Sequence, residues 1–160
     1  MGHERVTPIV LAVAGFVAVV IGVHQGLMHV APGYEGTITT GWGGGLNHEE
    51  RLLVGIGAVG LGGTVAARRW KRLAVVPVVI GGTVLFYAVR AVLWQVRNTR
   101  LYTEVTTYSG DPVVFVLGAE PFLLVTGGLF LAGAGIVSWR RRTNQEARQA
   151  IDYPSTSHEQ

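Results

Sequence analysis

Four long apolar blocks divide this chain, at 8–30, 52–67, 73–94 and 112–139. Each approaches or exceeds the ~20 residues that an α-helix needs to cross the ~30 Å hydrocarbon layer of a bilayer. In lipid the backbone must satisfy its own hydrogen bonds, so continuous apolar stretches of this length are read as helices. With 49 % hydrophobic and only 14 % charged residues in a chain of 160, the composition is too apolar for an ordinary soluble domain. The expected fold is therefore an all-α integral membrane protein, a bundle of four transmembrane helices. One membrane domain spans 1–142, with helices at about 8–30, 48–67, 73–96 and 112–139. A polar cytoplasmic tail, 143–160, is expected to continue briefly as helix and then lose order.

The ends of the blocks carry helix signals. Thr7 is placed to cap the first helix, with Pro8 at a position where a missing N–H costs nothing. Asn47 and Glu50 form a capping-box pattern that extends the short second block back to His48. Pro77 falls in the first turns of the third helix, and Asp111 followed by Pro112 marks the start of the fourth. No small-x-small cleavage site follows the first block, so it reads as a retained helix rather than a signal peptide.

Charge placement gives the orientation. Arg68, Arg69, Lys71 and Arg72 form one basic cluster, and Arg140, Arg141, Arg142 and Arg148 form another. Both lie against the ends of apolar blocks, where the positive-inside rule explains them better than nucleic-acid binding does. In a four-pass chain these clusters share a side, which makes both termini cytoplasmic. The loops at 31–47 and 95–111 then face outward. Tyr34, Trp42, Trp94, Tyr102 and Tyr108 lie in or beside them, as expected where helices meet headgroups. Segments 37–40 and 102–108 concentrate Thr, Val and Tyr, which suggests short outer β-strands; glycine-rich irregular turns are the alternative.

Inside a bilayer, small residues mark the stripes along which helices pack. Gly15, Ala18, Gly22, Gln25 and His29 form such a stripe on the first helix, and His48, Arg51, Gly55, Ala58, Gly62 and Ala66 on the second. Thr83, Tyr87, Arg90 and Trp94 follow on the third, and Glu120, Gly127, Ala134 and Ser138 on the fourth. By helix rise, Arg90 lies about 26 Å and Glu120 about 29 Å above the cytoplasmic ends of their helices, in one outer layer. A charge at the bilayer centre costs about 2.5–3.5 kcal/mol, so these two are expected to pair or to line a polar cavity. The candidate pocket or helix clamp comprises Arg90, Glu120, Arg51, Gln25, His29, His48, Tyr87 and Trp94. Pro121 is read as a kink beside Glu120.

Other chemistries find little support. The absence of cysteine excludes disulfides, thiolate metal sites and iron–sulfur clusters, and with them the membrane thiol oxidoreductases. Gly55, Gly57 and Gly60 spell GxGxxG, but inside an apolar helix they read as packing glycines rather than a nucleotide turn. His29 and His48 would be needed for haem or metal ligation between helices, and hydrogen bonding at the interface is the simpler reading. No nucleophile arrangement is apparent, and neither a cofactor nor a metal is expected. Arginine outnumbers lysine twelve to one among 13 basic residues, a composition that points to a high-GC prokaryote. The leading expectation is a non-enzymatic accessory or interaction subunit of a prokaryotic plasma-membrane complex. Its partners would be the lipid bilayer and a second copy or other membrane subunits. The alternative is a binder or transporter of a small anion or polar lipid through an outward-facing pocket; a haem or quinone redox protein comes third.

Overall fold

The computed structural model describes residues 3–25, 28–30, 48–97 and 115–152. Four long helices carry the fold: α1 (His3–Gln25), α2 (His48–Ala66), α3 (Val75–Arg97) and α4 (Glu120–Asp152). A 3-10 turn at Lys71–Ala74 leads into α3. Two three-residue strands, β1 (Met28–Val30) and β2 (Phe115–Leu117), pair antiparallel with His29 opposite Val116. The strands expected at 37–40 and 102–108 lie outside the described residues.

Several boundaries differ from expectation for physical reasons. The first helix ends at Gln25 rather than at 30, and Met28–Val30 is strand. At its other end it begins at His3, so Thr7 and Pro8 lie within it. The fourth helix begins at Glu120 instead of 112, and Phe115–Leu117, a run of strand formers, pairs with β1. Pro121 is consequently a first-turn proline, where its missing N–H is one of the unsatisfied donors in any case. It is not a mid-helix kink. At the far end α4 runs on to Asp152, a helical continuation into the tail.

Among the described residues, three helices are long and apolar enough to cross a membrane: Val6–Gln25, Lys71–Trp94 and Glu120–Ala147. In contrast, α2 opens with Glu49, Glu50 and Arg51 and contains five glycines. The large apolar side chains exposed on the other three are the inverse of a soluble surface. Val6, Val10, Val13, Val17 and Ile21 form an outward stripe along α1, and Val79, Phe86, Val89 and Leu93 do the same along α3. Phe122, Leu129 and Ile136 continue the girdle on α4. Apolar patches of this extent mark a surface meant for lipid or protein rather than water.

Buried positions recur at alternating spacings of three and four, the seam of left-handed helix packing. They include Pro8, Ala12, Gly15, Val19 and Gly22 in α1; Leu53, Gly57, Gly60 and Thr64 in α2, with Ala67 just after it; Ala74 of the 3-10 turn, then Pro77, Gly81, Val84 and Ala88 in α3; and Glu120, Leu124, Gly127, Leu131 and Ala134 in α4. α4 packs most extensively, against α1 on one side and α3 on the other, while α2 bridges α1 and α3. The close approach of α4 depends on glycine. A Cβ on Gly15 would stand 2.8 Å from the Gly127 carbonyl oxygen, and one on Gly81 would stand 2.5 Å from that of Gly128.

Between α2 and α3 the chain turns within a few residues, through bonds from the Arg69 and Trp70 N–H groups to the Ala66 carbonyl at 2.9 and 3.0 Å. So short a connection makes the two helices antiparallel neighbours. The 3-10 turn also lies against α4. There Lys71 forms an ion pair with Glu146 and stands 5.5 Å above the Trp139 ring.

Candidate functional site

The expected polar layer is only partly assembled. α3 turns its Gly81, Val84 and Ala88 seam inward, so the stripe drawn through Thr83, Tyr87, Arg90 and Trp94 is displaced by one position, about 100° around the helix. As a result Arg90 and Trp94 are exposed, and Tyr87 is half-buried at the edge of the seam. Arg90 and Glu120 form no ion pair. Near the end of a helix long and apolar enough to span a membrane, one turn before Trp94, an exposed arginine can reach the headgroups along its own aliphatic stem.

The second helix is rotated further. Leu53, Gly57, Gly60 and Thr64 face inward, while Arg51, Gly55, Ala58 and Gly62 face out. Glycines occur on both sides of α2, so small size alone does not indicate its buried face. His48 and Arg51 are exposed, and Gln25 is half-buried. The side chain of His29 lies outside the described residues.

What does come together at this end is a group of carboxylates. Tyr87 donates a hydrogen bond from its hydroxyl to Glu49 Oε2 at 3.1 Å. Glu120 is the most buried acidic residue described, at 9 % exposure. It has no cationic partner among the described residues, and the sequence pattern offers another source of positive potential. Glu120 opens α4, and Glu49 and Glu50 lie in the first turn of α2. Both helix N-termini therefore meet at this end, and their unsatisfied N–H groups and dipoles favour carboxylates. This feature was legible in Asn47, His48, Glu49 and Glu50 as a helix start, but required the true beginning of α4.

An anion pocket built on Arg51 and Arg90 is not formed by the described residues, because both side chains face outward. Among the described residues there is also no group of three or more His, Asp or Glu side chains that could hold a metal ion.

The opposite end of the helices holds a cavity of about 470 Å³, bounded by the start of α1, the end of α2 and the basic stretch of α4. Arg68, Arg141 and Arg142 line it, together with Ser138 and Gln145. Arg142 Nη2 donates to the Ala67 carbonyl at 3.5 Å, at the C-terminal end of α2. Sequence reasoning had assigned these arginines to topology alone, and their convergence depends on α4 extending past Trp139. The chain matches no protein-family model, and neither a curated protein nor a solved structure shows significant similarity to it.

Proposed function

We propose that this chain is a four-helix integral membrane protein of a prokaryotic plasma membrane, with both termini cytoplasmic, acting as a non-enzymatic accessory or interaction subunit. In this reading α2 crosses the membrane as well, and the outer loops form a recognition surface. The observation that carries the proposal is the outward face of α2. Gly55 and Gly62 have nothing within 4 Å of the position a Cβ would take, and Ala58 between them is exposed.

Membrane helices associate where small residues let backbones approach, and lipid chains gain little by covering such a stripe. α2 is also the helix least able to face lipid by itself, since three charged residues stand in its first turn. A second transmembrane helix packed on Gly55, Ala58 and Gly62 would cover it. That helix comes from another copy of this chain or from a different membrane subunit.

Gentle detergent extraction followed by mass measurement tests the proposal. The wild type is expected to run as an oligomer or with a co-purifying subunit. The double substitution Gly55→Leu and Gly62→Leu should release the monomer without lowering its thermal stability, because both positions are open in the monomer. A wild-type monomer with no partner would contradict the reading.

A further inference from the structure

We infer that the cavity at the cytoplasmic end binds a phosphate group, presented by the headgroup of an anionic phospholipid. The inference rests on the membrane reading but not on the partner helix proposed for α2. Arg68 of the α2–α3 turn and Arg141 and Arg142 of α4 line the cavity, and no carboxylate lines it among the described residues. A volume near 470 Å³ falls in the range of small-molecule sites, roughly 300–1,000 Å³. Arginine forks match the oxygens of a phosphate, and the hydroxyl of Ser138 and amide of Gln145 can add neutral hydrogen bonds.

The topological explanation of basic residues at a membrane face accounts for their sign but not for their convergence. Arg140 and Arg141 separate the two effects. They are neighbours in sequence with the same charge, yet only Arg141 lines the cavity, and Arg140 is exposed outside it. Pro8 and Ile9 of α1 form an apolar wall beside the cations. A site with guanidinium groups next to an apolar wall, at the end of membrane-spanning helices, suits a headgroup whose acyl chains remain in the bilayer better than it suits a fully solvated ion.

The test is native mass spectrometry of the delipidated full chain titrated with phosphatidylglycerol, with phosphatidylcholine and separately with inorganic phosphate. Wild-type protein should retain phosphatidylglycerol in preference to phosphatidylcholine. Arg141→Gln should weaken that retention about tenfold, as expected for loss of one charged hydrogen-bonding partner, and Arg140→Gln less than about twofold. Gln145→Glu, an exposed position that brings a carboxylate to the cavity without touching the core, should weaken it as well. Saturable binding of inorganic phosphate that is lost in Arg141→Gln, without lipid retention, would support the phosphate site and assign it to a soluble source. Equal effects of Arg140→Gln and Arg141→Gln, or no binding of either probe, would overturn the inference.

Discussion

In α4, Gly127 and Gly128 stand about 100° apart around the helix, one against Gly15 of α1 and the other against Gly81 of α3. In α2, Gly55 and Gly62 meet nothing within 4 Å. The same residue type thus serves two purposes in neighbouring helices. On α4 it allows backbone to touch backbone and builds the interior. On α2, where Gly57, Gly60 and Gly63 already make the inward contacts with Phe16, Ile80 and Val76, Gly55 and Gly62 are left open on the outside. A stripe of small residues therefore identifies a surface of close approach without saying whether the approaching helix belongs to the same chain.

Substitutions should separate the two kinds of glycine. The largest effect is expected for Gly81→Leu, because its first Cβ would already overlap the Gly128 carbonyl and the Ala132 backbone nitrogen, at 2.5 and 2.6 Å. Backbone atoms cannot give way as side chains do, so the loss should exceed about 3 kcal/mol. Thermal unfolding in detergent would read it as loss of the cooperative transition. Gly62→Ala should have the opposite sign, with a gain of up to about 1 kcal/mol from helix propensity, visible as a higher melting temperature. If both variants lose stability, the outward assignment of the α2 stripe is wrong. A smaller effect is expected at the end of the bundle that carries Lys71. Lys71→Ala removes an ion pair with Glu146 whose side chains are 30 % and 58 % exposed, and a contact over Trp139. In solvent this should cost less than about 1 kcal/mol and shrink further in high salt.

The sequence made the four helices and the buried faces of α1 and α4 readable, since Gly15, Gly22, Glu120, Gly127 and Ala134 are all buried as their spacing suggested. It was less informative for α3, where polar residues drew attention to the wrong angle. Thr83, Tyr87, Arg90 and Trp94 repeat with the same period as Val84 and Ala88 but one position earlier, and period alone does not fix phase. For α2, glycines on two faces gave two equally good stripes. The start of α4 was displaced by Asp111-Pro112, which resembles a cap and first turn, whereas the helix begins at Glu120 followed by Pro121. That shift moved Glu120 from an apparent mid-helix charge to a helix N-terminus.

The account depends most on α2, the helix whose own composition argues least for a membrane crossing. Because the chain has no cysteine, single cysteines introduced at His48→Cys and Arg69→Cys can report the two ends of this helix with a membrane-impermeant thiol reagent on intact cells. If α2 crosses the membrane, the cysteine at 48 is labelled from outside and the one at 69 only after permeabilisation. Labelling of both positions from the same side would place α2 on one face of the membrane and contradict the four-crossing architecture.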